Sequence, residues 1–399
     1  MQRFRLLGAC LLLFFSGAAA PASAALSTNA EHAVLMDAAS GQVLWAKDAD
    51  TETPPASMSK LMTLELLFQR LKDGRMKLTD TLPVSQNAWS TQGSKMFVTL
   101  GSNVKVEDLI RGIIITSGND ACVVVAEGIG GTEQGFVDMM NARAKQIGLT
   151  HSHFVNPNGL PDPPGQLMSV MDLAKLARHL INDYPQYYHY FSERAFTWSV
   201  ENGRSITQQN RDSVLDKFPG TDGLKTGHTD AAGYGITVSA VRDGQRLILV
   251  LNGLRYPDLD KMTPAAQDWH GVQRRGDEAA RIMGLAFREF RRYPLFKPND
   301  IVGQAPVWQG AEKTVPLTVV SVVAPTMQVD SRPGLKVALH YNGPIHAPIE
   351  QGQKVGTLTV SAPDYPGLTV PLYAAKAVPE EGIFGRMIVG IESLFSGKK

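Results

Sequence analysis

Cysteine is nearly absent from this chain: among 399 residues only Cys10 and Cys122 occur. Cys10 lies in the leader, so an exported product holds one thiol and can form no internal disulfide, leaving stability to its core. The neighbours of Cys122 are Val123, Val124, Val125 and Ala126, a setting for a buried, inert side chain. Charge of one sign is missing too. Lys and Arg total 39 against 38 Asp and Glu, a net charge of +1, so no global field draws in nucleic acid, and no nucleic-acid partner is expected. Beyond the leader no apolar run approaches the length of a membrane-spanning helix. The nine histidines show no zinc-type pairing, and His151 and His153 read as surface residues. Neither a metal nor another cofactor is expected. No Gly-x-Ser-x-Gly surrounds Ser57, which disfavours a Ser-His-Asp hydrolase.

What is present begins with MQRFR, the apolar run Leu6 to Phe15, and Ala22-Ser23-Ala24. This is the pattern of a secretory signal over 1–24, cleaved before Ala25. Leu7-Gly8-Ala9-Cys10 resembles a lipoprotein box but precedes most of the apolar run, so no lipid is assigned to Cys10. Val34 to Asp37 and Gln42 to Trp45 flank Ser40-Gly41 as a hairpin, and Gly235 to Val241 and Arg246 to Leu251 flank Asp243-Gly244 as a second. Between them helical patterns run over Leu61 to Leu71, Val106 to Ile115, Asp120 to Ile129 and Met171 to Ile181. The fold class is therefore α/β: over 25–294, an antiparallel sheet built from both ends of the domain with a helical insertion. From 295 to 377 the helical period gives way to β-rich runs, Leu317 to Val323, Leu335 to Leu339, Val355 to Val360 and Leu368 to Leu372, which read as a small all-β domain. The last segment, 378–399, spaces Ile383, Phe384, Met387, Ile388, Ile391, Leu394 and Phe395 on one helical face and ends in two lysines, which reads as an interfacial membrane anchor.

The chemistry starts at PPASMSK. Pro54 and Pro55 precede but cannot continue a helix, and Leu61 to Phe68 is apolar enough for a buried one. Ser57 then lies in the first turn, where free N–H groups favour negative charge, and Lys60 shares its face. A lysine shielded from water has its pKa lowered and can take a proton from serine. Ser-x-x-Lys also occurs at Ser102 to Lys105 and Ser396 to Lys399, but without the proline-then-helix context. Ser117-Gly118-Asn119 sits between Ile113-Ile114-Ile115 and the helix at Asp120, placed to expose two polar side chains; Ser-x-Asn recurs at Ser27 and Ser85. Lys225-Thr226-Gly227 occurs once, before the strand at Gly235, where a lysine and a threonine can bind a carboxylate and Gly227 permits close approach.

In order and local context these three elements resemble those of the low-molecular-mass penicillin-binding proteins, the serine D-alanyl-D-alanine carboxypeptidases of bacterial envelopes. PASMSK, RGIIITSGNDAC, DGLKTGHTDAAGY, the trailing β domain and the amphipathic end all fit. The resemblance implies a β-lactamase/transpeptidase-like domain, a β-rich stalk and a helix on the periplasmic face of the inner membrane. It implies peptidoglycan stem peptides ending in D-Ala-D-Ala as substrate and β-lactams as covalent inhibitors. Ser57 would be the nucleophile, Lys60 its base and Ser117 the proton relay to the leaving D-alanine. Asn119 would hold the substrate amide, Lys225 and Thr226 the terminal carboxylate, and the N–H groups of Ser57 and His228 the oxyanion. Arg275 is matched to a family arginine at the carboxylate, with Arg274 and Arg255 as alternatives because Tyr256 to Val272 looks like an insertion. Asn158 stands where certain relatives carry histidine. A β-lactamase shares the nucleophile, but 134–191 contains no glutamate to activate a deacylating water. A D,D-endopeptidase and a slow penicillin-binding scaffold remain the alternatives.

Overall fold

The computed structural model describes residues 26–200 and 203–382. The expected signal and the terminal amphipathic helix lie outside the described residues.

The central sheet joins both ends of the first domain. Its strands are β1 (His32–Asp37), β2 (Val43–Lys47), β5 (Thr221–Thr229), β6 (Gly233–Arg242) and β7 (Gln245–Leu254), a hairpin of β3 (Ala195–Ser199) and β4 (Ser205–Gln209) lying apart from it. They pair in the order β2-β1-β7-β6-β5, so the first and last segments of the domain are neighbours. Side chains alternate across a strand, and both faces of this sheet are covered. Val34, Met36, Ile248 and Val250 face one core; Ala33, Leu35, Leu247, Leu249 and Leu251 face the other. Burial on both faces is why residues 247–251 read as an unbroken apolar run.

The first core is the helical insertion. Its centre is α1 (Lys60–Lys72), whose residues from Lys60 to Phe68 are all buried, among them the apolar Leu61, Met62, Leu64, Leu67 and Phe68. Each such side chain contributes about 1.5–3 kcal/mol by leaving water. Around it lie α2 (Val106–Ile114), α3 (Asn119–Gly130) and α4 (Val170–Asp183). One buried carboxylate is built into this packing: Glu65 accepts from Arg143 at 2.8 Å and from the Tyr184 hydroxyl at 3.0 Å. A small hairpin, β3 (Ala195–Ser199) and β4 (Ser205–Gln209), closes the insertion.

The second core lies beneath α5 (Pro264–Glu289), a helix of 26 residues. Tyr256 to Val272, which has the look of an insertion in the sequence, supplies its first turns: Pro264 occupies the start, and the Thr263 hydroxyl accepts from the Ala266 N–H. Gly271, Arg275, Ala279, Ile282, Met283 and Ala286 form its buried stripe.

A short ribbon, Phe290–Arg292 against Thr326–Gln328, ties α5 to the second domain. That domain is a six-stranded sheet of β8 (Ile301–Trp308), β9 (Thr314–Thr318), β10 (Lys336–Tyr341), β11 (Ile345–His346), β12 (Lys354–Ala362) and β13 (Tyr365–Ala374), in the order β10-β12-β13-β9-β8-β11. The strand expected over Leu317 to Val323 stops at Thr318. Thr318 pairs with Ile301, the first residue of β8, and beyond it the ladder gives way to separate backbone bonds, of Val319 with Asn299 and of Val323 with Phe296, while Val320 and Val322 are 56% and 52% exposed.

Candidate active site

Ser57 stands on a tight turn rather than inside a helix. Residues Ala56–Ser59 form a single 3-10 turn ahead of α1, entered through Ala56 at φ 48°. A non-glycine residue in that region is strained, and such strain concentrates at functional sites. Gly159 braces the turn from outside: at φ +80°, a Cβ there would stand 2.0 Å from the Ala56 carbonyl oxygen. The two serines of SMSK part company here. Ser59 is buried and donates to the Ala56 carbonyl at 3.0 Å, whereas Ser57 is half-buried with its Oγ 2.6 Å from Lys60 Nζ.

Lys60 is fully buried, and its second partner is the backbone carbonyl of Asn158 at 2.5 Å. Thus Asn158 meets Lys60 through its main chain, while its side chain accepts from the Leu160 N–H at 3.0 Å. Burial lowers the Lys60 ammonium to about 8, helped by the nearby charge of Arg211 and opposed by Asp120. An amine so close to neutrality at physiological pH can remove the proton of the hydroxyl it touches.

Opposite Ser57 stands the turn between α2 and α3. Ser117 has φ 58° and is buried, and its Oγ accepts from Lys225 Nζ at 3.0 Å. Asn119, the first residue of α3, donates through Nδ2 to the Gln92 carbonyl at 2.7 Å. Its Oδ1 is buried with no partner among the described residues. A buried acceptor left open is costly, and here it is available to the N–H of a bound amide.

The third wall is β5, a strand in its own right at the sheet edge, so alternate N–H groups point away from β6. Gly227 lets it run against the Ser57 turn, since a Cβ there would stand 2.8 Å from the Pro55 carbonyl oxygen. Lys225 is buried, and burial together with the Lys60 and Arg211 charges pushes its ammonium well below the usual range. Thr226 is buried beside it. His228, on the open end of β5, stacks on Tyr234 with ring centroids 3.8 Å apart. Partial desolvation and the Arg275 charge lower its imidazole from the ordinary value.

Of the three arginines considered for the carboxylate, only Arg275 is buried against β5, donating to the Gly227 carbonyl at 3.0 Å. Arg274 pairs with Asp258 at 2.6 Å and Arg255 with Glu31 at 3.0 Å, both near the surface. Three further contributors have no motif of their own. Arg211 lends charge to both lysines. Asp212 is buried beside Arg275, and burial raises its carboxyl to about 6. Asp120 is buried and accepts from the N–H groups of Met96, Phe97 and Val98 at 3.0, 2.8 and 3.2 Å, which fixes the segment carrying Gln92. Acidic residues at the start of α3 are a visible signal, but the loop that Asp120 holds is remote in sequence. Cys122 is fully buried, and burial pushes its thiol to about 12. Among the described residues no cluster of His, Cys, Asp and Glu could hold a metal ion.

A half-buried hydroxyl on a buried amine, a second hydroxyl and amine facing it, an open amide acceptor and a cationic end suit acyl transfer on a peptide with a free C-terminus. Comparison with known proteins agrees. Residues 18–254 match the family model described as D-alanyl-D-alanine carboxypeptidase, and residues 290–380 match the C-terminal domain of penicillin-binding protein 5. D-alanyl-D-alanine carboxypeptidase DacC of Escherichia coli is 35% identical over 90% of this chain and 87% of its own. DacF of Bacillus subtilis is 32% identical over 89% of this chain and 88% of its own. The crystal structure of penicillin-binding protein 5 from Haemophilus influenzae superposes with a TM-score of 0.77 at 32% identity, covering 89% of this chain and 99% of that one. Penicillin-binding protein D2 from Listeria monocytogenes in its ampicillin-bound form gives a TM-score of 0.55 at 25% identity over 66% of this chain and 98% of its own.

Proposed function

This chain belongs to the D-alanyl-D-alanine carboxypeptidase family and is a serine-type D-alanyl-D-alanine carboxypeptidase, and from that premise we propose how its residues divide the work. Ser57 Oγ attacks the carbonyl between the two terminal D-alanines of a peptidoglycan stem peptide while its proton passes to neutral Lys60 Nζ. The N–H groups of Ser57 and His228 receive the developing oxyanion. The C–N bond breaks, the leaving D-alanine takes a proton through Ser117, and an ester on Ser57 remains until water cleaves it. Asn119 Oδ1 accepts the substrate amide N–H. Lys225, Thr226 and Arg275 hold the terminal carboxylate, which makes the site a carboxypeptidase rather than an internal protease. A β-lactam, whose ring amide takes the place of the scissile bond, acylates Ser57 by the same route.

The observation that carries this reading is the 2.6 Å contact of Ser57 Oγ with a fully buried lysine. Release of D-alanine from a pentapeptide ending in D-Ala-D-Ala tests it: wild type releases D-alanine, and Ser57→Ala releases none above the uncatalysed rate. Equal release by the two would remove Ser57 from the reaction.

The leader pattern and amphipathic end support a place on the periplasmic side of the inner membrane, held by the last helix. Among the described residues no helix is long and apolar enough to cross a membrane. Co-sedimentation with anionic vesicles, retained by the chain and lost on removing 378–399, tests the anchor.

A further inference from the structure

A second groove, of about 310 Å³, borders Lys95 and Phe97 to Thr99, in the wall that also carries Gln92. Trp89, Lys95 and Phe97 line one side; Val200, Arg204 and Ile206 of the β3–β4 hairpin line the other. This wall is shared with the active site. Asn119 grips it through the carbonyls of Gln92 and Ser94, both at 2.7 Å, while the hairpin holds it through Gln208 to the Lys95 carbonyl at 3.1 Å and Trp198 to the Phe97 carbonyl at 3.1 Å.

Two observations on this groove point to a ligand. Phe97 has φ 69° yet is 47% exposed, so a bulky side chain occupies a strained backbone conformation and still gains little burial. Trp89 beside it is 41% exposed. The second is charge. Among the described residues Lys95 Nζ is held by the Trp89 carbonyl, and neither it nor Arg204 is paired with a carboxylate. Asp120 also borders the groove, but its carboxylate is buried and taken up by the N–H groups of Met96, Phe97, Val98 and Ala121. Two open aromatic faces beside two cations that no described carboxylate pairs fit a flexible segment with methylene carbons and a free carboxylate.

We infer that this groove is a subsite for the acidic part of the stem peptide upstream of the scissile bond, with the carboxylate on Arg204 and Lys95 and the methylenes on Phe97 and Trp89. The inference rests on the carboxypeptidase reading and adds to it a preference for stems whose acidic residue is unamidated. The probes are two pentapeptides, L-Ala-γ-D-Glu-L-Lys-D-Ala-D-Ala and its counterpart with the glutamyl α-carboxylate amidated, alongside acetyl-L-Lys-D-Ala-D-Ala, which lacks that residue. Wild type is expected to favour the carboxylate peptide by about fivefold, in KM rather than kcat, with the preference shrinking as salt is raised. Combining Lys95→Gln with Arg204→Gln abolishes the preference and leaves the short peptide unaffected. In Phe97→Gly, relief of the left-handed strain keeps the fold at least as stable while KM for both pentapeptides rises, a split that a purely structural phenylalanine would not produce. Equal turnover of the two pentapeptides by wild type, or a preference that survives in the double variant, overturns the subsite while leaving the carboxypeptidase intact. Failure to cleave all three peptides would instead overturn the carboxypeptidase reading and the subsite with it.

Discussion

Replacing Lys60 with methionine separates what the buried lysine does for catalysis from what it costs the fold. Methionine keeps an unbranched stem and removes the charge. Burial takes the wild-type ammonium from 10.5 to about 8, which at about 1.4 kcal/mol per tenfold change is a cost of about 3 kcal/mol to the folded state at neutral pH. The sign follows from proton counting. Between about 8 and 10.5 the unfolded chain keeps the proton that the folded chain has released, so stability rises with pH across that window. The cost is present in full below about 8 and relieved above 10.5. Urea unfolding of wild type and Lys60→Met at matched pH values should therefore show wild type gaining on the variant by up to about 3 kcal/mol across the window, with most other titrating groups cancelling. Lys225 trims that figure, because its own ammonium is eased when the Lys60 charge is removed. The catalytic half runs in parallel. Acylation of the wild type by benzylpenicillin should rise about fivefold from about pH 7 to about pH 8 as the amine deprotonates, and Lys60→Met should lose about 10²–10⁴ in rate. A stability gap that stays flat with pH, or a variant acylated within tenfold of wild type, would refute the reasoning.

Three further outcomes follow from the geometry. Gly159→Ala drives a Cβ against the Ala56 carbonyl from a left-handed position, so thermal unfolding should show a loss of about 2 kcal/mol or more, with slowed acylation as the Ser57 turn shifts. Asp120→Ala leaves the N–H groups of Met96, Phe97 and Val98 without their acceptor, at a cost of about 3 kcal/mol in chemical unfolding and a raised KM through the loosened Gln92 contact to Asn119. Arg275→Ala should lower kcat/KM on D-Ala-D-Ala peptides by about tenfold or more, whereas Arg274→Ala should change it less than twofold, since that guanidinium is paired with Asp258 at the surface.

Much of this arrangement is legible in the sequence because its signals are local. The proline pair ahead of an apolar helix marks the Ser57 turn, and Asp243-Gly244 between two apolar runs marks the β6–β7 hairpin. Other features depend on contacts remote in sequence. Residues Thr221–Thr229 form a strand because β6 offers a free edge, which the polar TDGLKTGHT does not advertise. The β-branched run after Thr318 has the propensity of a strand, but its pairing is reduced to an isolated bridge of Val323 with Phe296. α5 reads as an insertion when its first turns are seen alone, because the buried stripe of Gly271, Arg275, Ala279 and Ile282 mixes a glycine and an arginine with apolar residues. Asn158 reaches Lys60 through a main-chain carbonyl, and a carbonyl leaves no mark on residue type. Arg211 and Asp212 act by proximity to Lys225 and Arg275, a relation made by the fold alone.

The central claim is that Ser57 is the nucleophile and Lys60 its base. Mass spectrometry of the mature protein incubated with benzylpenicillin tests it most directly, with the adduct mapped by peptide digestion. The account predicts one penicilloyl group, located on the peptide carrying Ser57, and none on Ser57→Ala. An adduct on another serine, or none on the wild type, would contradict it.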